Sequence, residues 1–154
     1  MAKRNSRNIN LIVIHCSATS ELKDYTPEMM ERDHRERGFN SAGYHFYIRR
    51  SGYRHPLRPL QLVGAHVLGF NKESIGVCYE GGINAKGKPA DTRTDAQKEA
   101  MKQLLEELVV LYPDAQIVGH RDLSPDLNGD GVISPDEWIK QCPCFDAKKE
   151  YKNI

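Results

Sequence analysis

Two short apolar runs constrain the fold of this chain most strongly. Residues 9–14 and residues 74–79 are both mostly apolar and contain no charged side chain. Such runs are typical of strands buried on both faces, which need helices above and below their sheet. Apolar side chains recur at helical spacing in residues 94–111, which predicts the strongest helix. Because predicted strands and helices alternate, we expect a single α/β domain with a central mixed β-sheet flanked by α-helices.

Cap and turn residues indicate the remaining elements. Thr26 is a typical N-cap of a helix that is expected to run to about Arg37. Residues 44–50 alternate between polar and apolar types and are followed by a Ser-Gly turn, which predicts a β-hairpin. A short strand is expected over residues 115–118 and a final short helix over residues 145–151.

Composition restricts the partners that the chain can have. The 154 residues carry a formal net charge of +1, which gives no electrostatic reason to expect a nucleic-acid partner. No apolar stretch is long enough for a membrane span, and no signal peptide precedes the first strand. We therefore expect a monomer that is cytoplasmic as synthesised and has no membrane partner. The basic residues Lys3, Arg4 and Arg7 predict a flexible tail over residues 1–8, ahead of a domain over residues 9–154.

The segment 126–137 matches an EF-hand calcium loop. Such a loop places oxygen ligands at positions 1, 3, 5, 7, 9 and 12 and a glycine at position 6. Gly131 occupies position 6, and the ligand positions are held by Asp126, Asn128, Asp130, Val132 through its carbonyl, Ser134 and Glu137. Pro125 disfavours a helix before the loop, whereas a helix is expected to begin after Ser134 and to continue to Lys140. We expect an inserted loop that holds structural calcium; the alternative is an acidic surface loop, since Asp, Asn and Gly are common turn formers.

Two histidines and a cysteine indicate a metal site. His15 and His120 each follow a predicted buried strand, and open α/β sheets place their sites at that edge. With Cys142 they make three ligands suited to zinc, which leaves the fourth tetrahedral position open as in catalytic sites. Cys144 could close a structural four-ligand site instead, although its spacing from Cys142 is tighter than usual. The remaining alternative is that both histidines bind no metal.

An ordered set of short motifs resembles the zinc-dependent N-acetylmuramoyl-L-alanine amidases of the phage-lysozyme type, relatives of the peptidoglycan recognition proteins. The motifs extend over residues 9–150 and are Ile-His-Cys-Ser-Ala at 14–18, Gly-Tyr-His-Phe at 43–46, His-Val-Leu-Gly-Phe-Asn at 66–71, Ser-Ile-Gly-Val at 74–77, Gly-Gly at 81–82, Gly-His-Arg at 119–121 and Lys-Gln-Cys-Pro-Cys-Phe-Asp at 140–146. The resemblance implies a mixed sheet with a zinc ion at the floor of a groove. It implies these roles by motif match: zinc ligands His15, His120 and Cys142; catalytic residues Tyr44 and Lys140; substrate-groove residues His66 and Asn71. The chain has more residues between His120 and Cys142 than that family usually has, and the calcium loop accounts for them.

The same resemblance implies an activity and its partners. The reaction is hydrolysis of the amide between N-acetylmuramic acid and L-alanine, so the expected partners are peptidoglycan or muropeptides. A phage or prophage endolysin that reaches the wall after release fits best. The alternatives are a cytoplasmic muropeptide-recycling amidase and a non-catalytic peptidoglycan-binding module; modules of that kind lose the zinc cysteine, whereas Cys142 is present. Some phage relatives also bind their host's RNA polymerase. Binding of RNA polymerase through the basic tail is therefore a further hypothesis.

Overall fold

A computed structural model describes residues 7–138 and 141–154. The strands are β1 Leu11–Cys16, β2 Thr19–Ser20, β3 Phe46–Ile48, β4 Arg54–Pro56, β5 Ser74–Tyr79, β6 Gly82–Ile83 and β7 Gln116–Gly119. The α-helices are α1 Pro27–Glu36, α2 Asp95–Leu111 and α3 Ala147–Glu150. Short 3₁₀ turns are formed by Asn71–Glu73, His120–Leu123 and Pro135–Glu137.

The central sheet is mixed, as the sequence predicts. Its strand order is β4-β3-β5-β1-β7. β1 runs parallel to both β5 and β7, and β3 runs parallel to β5. Only the hairpin strand β4 is antiparallel, paired with β3. β2 and β6 form a separate two-stranded sheet that the sequence did not indicate. The carboxyl ends of β1 and β7 therefore meet at one edge of the sheet.

Both long helices begin after a threonine cap, of which the sequence predicts Thr26. The Thr26 hydroxyl accepts the N–H of Met29 at the start of α1. Thr94 and Gln97 form a reciprocal capping box at the start of α2. Such caps satisfy N–H groups that have no partner inside the helix, which explains why local sequence locates these ends well. Within residues 7–138 and 141–154, no helix combines the length and apolar character that crossing a membrane requires.

Side chains of β1 alternate between two apolar layers. Ile12 and Ile14 belong to the larger core, which includes the buried face of α2. Val13 points the other way and packs with Val67 and Val118. Successive strand residues face opposite sides of a sheet, so His15 shares the face of Val13 rather than that of α2. His15 therefore lies near the carboxyl end of β1, and its side chain faces the side of the sheet where α1 and the loop before β5 lie.

The N-terminal segment is anchored at Arg7. Its guanidinium donates hydrogen bonds to the carbonyls of Leu60, Asn71 and Ser74 at 2.7–3.2 Å. Arg7 thus packs on the loop before β5, although the sequence assigned it to the tail. Residues 1–6, which include the basic residues Lys3 and Arg4, lie outside the described residues.

Candidate active site

His15, His120 and Cys142 converge at the carboxyl edge of the sheet. Their ligand atoms all lie within 4.8 Å of one another, and the rings of His15 and His120 have centroids 4.7 Å apart. His15 is the penultimate residue of β1 and is 1% exposed, while His120 directly follows β7. Two imidazole nitrogens and one thiolate are the donor types that zinc prefers, and three protein ligands suit a site that keeps one position open. The three residues form a candidate metal site of the composition that the sequence predicts.

Cys142 is brought to the histidines by hydrogen bonds across the chain. The backbone N–H of Cys16 donates to the Sγ atom of Cys142 at 3.1 Å. The backbone N–H of Arg121 donates to the Cys142 carbonyl at 2.9 Å, which ties the cysteine to the residue after His120. The buried Tyr79 hydroxyl donates to the carbonyl of Pro143 at 2.6 Å. The segment after the insertion therefore returns to β1 despite the added length.

Cys144 faces a different direction from Cys142. Its thiol lies 3.6 Å from the Gly82 carbonyl and is a hydrogen-bonded neighbour of the Cys16 thiol. Hydrogen bonding with Cys142, together with burial, raises the pKa of Cys16 to about 12, so this group remains a protonated thiol. Among the described residues, the His/Cys cluster consists of His15, His120 and Cys142, without Cys144. This arrangement favours the open three-ligand site over the closed four-ligand alternative.

Tyr44 lies beside the metal site. Its ring centroid is 4.9 Å from that of His15 and 5.6 Å from that of His34. Burial raises the pKa of Tyr44 well above its ordinary value, and the neighbouring thiols Cys78 and Cys142 add to this effect. The phenol therefore keeps its proton at physiological pH, which makes it a hydrogen-bond donor rather than a base.

His66 and Asn71 border the site and also have partners inside the fold. The Nδ1 atom of His66 is 2.8 Å from the Nε2 atom of His15, and burial lowers the pKa of His66 to about 3. The Asn71 Oδ1 atom accepts the backbone N–H groups of His66 and Val67, both at 2.9 Å. Asn71 thus shapes the loop that carries His66, and the predicted substrate contacts of both residues stay predictions.

An open cavity of about 580 Å³ lies over the metal site. The three predicted zinc ligands line it, together with Tyr44, His66 and Asn71. Its opposite wall comes from α1 and the following turn and is formed by Met30, His34, Arg37 and Phe39. The sequence motifs did not indicate this wall, although a histidine, His34, stands one helical turn after Met30 on the predicted helix and is buried. Among the described lining residues there is no carboxylate, so the polar groups of this cavity are imidazole, thiol, phenol, hydroxyl, amide and guanidinium groups.

The predicted catalytic residue Lys140 lies outside the described residues, as does Ile139. Its role therefore stays a prediction from the motif at residues 140–146.

Three carboxylates of the 126–137 loop come together. Oxygen atoms of Asp126, Asp130 and Glu137 lie within 4.8 Å of one another. Asp126 also accepts the N–H of Gly131 at 2.7 Å, which curls the loop. Glu137 is buried, and hydrogen bonds from the backbone N–H of Ser134 and from other loop donors lower its pKa. Exposed carboxylates often cluster in this way without a cation, so the geometry alone does not assign calcium.

The helix predicted after this loop is much shorter than expected. Only Pro135–Glu137 forms a 3₁₀ turn, and Trp138 already has an extended backbone with ψ of 124°. The Arg121 guanidinium carbon lies 3.9 Å from the centroid of the Trp138 ring. This cation–π contact holds the indole against Arg121, the residue next to His120. At Trp138 the chain thus makes a long-range contact instead of continuing the predicted helix.

Comparison with known proteins agrees with this geometry. The profile of the N-acetylmuramoyl-L-alanine amidase family matches residues 5–143. The endolysin of Klebsiella phage KP32 is 41% identical over 138 residues, which cover 90% of this chain and 82% of the phage protein. The endolysin N-acetylmuramoyl-L-alanine amidase LysCS from Clostridium intestinale has a similar structure, with a TM-score of 0.72 and 27% identity over 94% of this chain and 80% of that one. Drosophila peptidoglycan recognition protein LB shares the fold, with a TM-score of 0.71 at 21% identity, over 98% of this chain and 84% of that one.

The resemblance seen in the sequence motifs is thereby confirmed over nearly the whole chain. The family match covers β1 to the Cys142–Pro143 segment, and so includes every residue of the three-ligand cluster. The chain therefore belongs to the N-acetylmuramoyl-L-alanine amidase family, and it is an amidase of peptidoglycan.

Proposed function

We propose that this amidase cleaves the bond between N-acetylmuramic acid and L-alanine with one zinc ion held by His15, His120 and Cys142. The observation that carries this proposal is the approach of their ligand atoms to within 4.8 Å at the floor of an open cavity. Structural zinc sites usually have four protein ligands, whereas catalytic sites have three. When bound, zinc would supply Lewis-acid chemistry, activating water as a nucleophile and polarising the scissile carbonyl.

Tyr44 is proposed to donate a hydrogen bond to the oxygen of the scissile carbonyl. Its raised pKa keeps the O–H group intact, and its ring lies 4.9 Å from that of His15. Negative charge develops on the carbonyl oxygen during attack, and a fixed donor stabilises that charge more than it stabilises the substrate. A donor of this kind contributes about 10²–10³ in rate.

Lys140 is proposed to act on the same developing charge. It stands two residues before Cys142 in the motif that resembles the family, and a lysine cation near an oxyanion stabilises it. This role is supported by the motif alone.

The biological role is proposed to be that of an endolysin that acts on the cell wall after release from the cytoplasm. Support comes from the similarity to the Klebsiella phage KP32 endolysin over 90% of the chain. A muropeptide-recycling amidase would use the same cavity on smaller fragments. Digestion of intact walls separates the two roles, because a recycling enzyme would cleave soluble muropeptides and leave intact walls undigested.

The loop 126–137 is proposed to bind structural calcium. Support comes from the match at each ligand position and from the approach of the Asp126, Asp130 and Glu137 carboxylates. Because the loop joins His120 to Cys142, a cation that orders it would lower the entropy cost of assembling the zinc site.

The central test combines metal analysis with product analysis. Purified protein is expected to contain one zinc per chain, and purified peptidoglycan treated with it should show new L-alanine amino termini. Addition of a zinc chelator should stop their release, and zinc should restore it. Release of reducing sugars instead of L-alanine termini, or full activity in metal-free protein, would contradict the proposal.

A further inference from the structure

The histidine ligand His15 is paired with a second histidine inside the fold. Its Nε2 atom lies 2.8 Å from the Nδ1 atom of His66, and the two rings meet edge to face at an interplanar angle of 87°. His15 is only 1% exposed, so this contact takes place where water does not compete freely. One of the two nitrogen atoms must carry the shared proton.

The second ring nitrogen of His66 also has a polar partner. Its Nε2 atom lies 3.2 Å from the hydroxyl of Ser74, a fully buried residue at the start of β5. If His66 carries its proton on Nε2 and donates to Ser74, its Nδ1 atom has a free lone pair towards His15. The Nε2–H group of His15 then donates to that lone pair, and the three groups form one directed chain of hydrogen bonds.

Two glycines leave the space that the His66 ring occupies. A Cβ atom at Gly76 would lie 2.8–2.9 Å from atoms of the ring, and a Cβ atom at Gly64 would lie 2.7 Å from its Cδ2 atom. Contacts this close are excluded for real Cβ atoms, so the ring occupies space that only glycine leaves free. The backbone N–H of His66 is itself held by the side chain of Asn71 at 2.9 Å. The ring is therefore fixed in place rather than free to follow a substrate.

We propose that His66 is a positioning residue that accepts the Nε2–H of His15 and thereby leaves the Nδ1 atom of His15 to bind the metal. This inference rests on the proposed function, because it assumes that His15 is a zinc ligand. Metal-binding histidines usually donate their second N–H to a carboxylate, a carbonyl or water, and that partner orients the ring. In this chain a neutral imidazole takes that place, within a cavity whose described lining contains no carboxylate.

Zinc affinity, measured by chelator competition, tests the proposal without depending on turnover. The wild-type protein is compared with His66→Leu, which removes the acceptor, and with His66→Asn, whose Oδ1 atom can replace Nδ1. Loss of such an outer partner weakens metal binding about 10–100-fold, so His66→Leu should show that loss and His66→Asn should recover most of it. His55→Leu is the control, since His55 lies in β4 away from the cavity.

A second measurement on the zinc-loaded wild-type protein does not depend on any variant folding well. Long-range ¹H–¹⁵N correlation spectra of the imidazole rings should show a proton on Nε2 of both His15 and His66. A proton on Nδ1 of His66 would overturn the proposal, as would unchanged zinc affinity in His66→Leu or equal loss in His66→Asn. A wild-type protein that binds no zinc would overturn the proposed function as well, whereas zinc binding with an unaffected His66→Leu variant would overturn only this inference.

Discussion

The backbone N–H of Cys16 donates a hydrogen bond to the Sγ atom of Cys142 at 3.1 Å. The contact joins the residue after His15 to a cysteine near the other end of the chain. This contact is made by Cys142 and not by its neighbour Cys144, and it holds the Cys142 thiol beside the strand end that carries His15.

Replacement of each of these two cysteines by serine should have a different effect on zinc content and activity. Cys142→Ser is expected to lower the zinc content to well below one ion per chain and to abolish wall hydrolysis, since a hydroxyl is a poor replacement for a thiolate ligand. Cys144→Ser should retain both, because its thiol lies against the Gly82 carbonyl. Elemental analysis and release of L-alanine termini measure the two outcomes. Zinc loss in Cys144→Ser with retention in Cys142→Ser would show that the ligand assignment is wrong.

Replacement of the Tyr44 hydroxyl should reduce catalysis without affecting metal binding. Tyr44→Phe keeps the ring that packs 4.9 Å from His15 but removes the only O–H that this side chain can donate. The expected loss is about 10²–10³ in kcat with unchanged zinc content. Lys140→Ala should behave in the same way if its motif-based role is correct.

The matched controls for these two variants lie away from the cavity. Tyr53→Phe removes a hydroxyl from a side chain that is 61% exposed, and Lys148→Ala removes a charge from α3. Both should leave turnover unchanged. Turnover near the wild-type value in Tyr44→Phe would assign this residue a purely structural role.

An ion pair of the C-terminal helix α3 should make the stability of the fold depend on pH in the acid range. The guanidinium of Arg93, whose side chain is 1% exposed, donates two hydrogen bonds of 2.8 Å to the Glu150 carboxylate. This interaction lowers the pKa of Glu150 below its ordinary value of 4.5. A carboxylate with a lowered pKa stabilises the folded state fully above the unfolded-state pKa, and this contribution disappears as the pH falls through the folded-state pKa.

Glu150→Gln tests that dependence. At neutral pH it should cost about 1 kcal/mol, a value reduced from that of a buried charged hydrogen bond because the carboxylate is partly exposed. The difference in melting temperature between the variant and the wild type should shrink as the pH falls below the unfolded-state pKa of about 4.3 and through the lowered folded-state pKa, below which the wild-type carboxylate is also neutral. Glu106→Gln, an exposed carboxylate of α2, should show a much smaller difference. A constant difference across this pH range would mean that the ion pair does not stabilise the fold.

The elements that the sequence located well are those determined by local chemistry. β5 has the predicted bounds Ser74–Tyr79, and α2 spans Asp95–Leu111 where a helix was predicted over residues 94–111, because apolar patterning acts over a few residues. The placement of His15 and His120 at one edge of the sheet also follows from the sequence, since the carboxyl ends of neighbouring parallel strands meet there. These features need no knowledge of distant contacts.

The features that the sequence did not indicate depend on contacts between distant segments. The pairing of β2 with β6 and the contact of His66 with His15 both form only when the chain has folded. The helix expected from Pro135 to Lys140 gives way to an extended backbone at Trp138, whose indole lies against Arg121 in a contact that local propensity does not predict. Tertiary contacts of this kind override weak local preferences.

The contact between Trp138 and Arg121 also provides a way to test the 126–137 loop for calcium. Trp138 is the only tryptophan of the chain and directly follows Glu137, the last proposed ligand. Calcium that orders the loop should therefore change the tryptophan fluorescence, with the micromolar or weaker affinity expected for an unpaired loop. A ligand that binds only the folded state adds about 2.7 kcal/mol at a free concentration of 100 Kd, so the melting temperature should rise as well.

Asp130→Ala should remove both responses and weaken zinc retention, because disorder in the loop raises the entropy cost of bringing Cys142 to His15 and His120. In metal-free protein the same variant should melt close to the wild type. Asp136→Ala is the control, since Asp136 is an exposed acid of the same loop at a position that supplies no ligand. If calcium changes neither the fluorescence nor the melting temperature of chelator-treated wild-type protein, the loop is a spacer that places Cys142 without a cation.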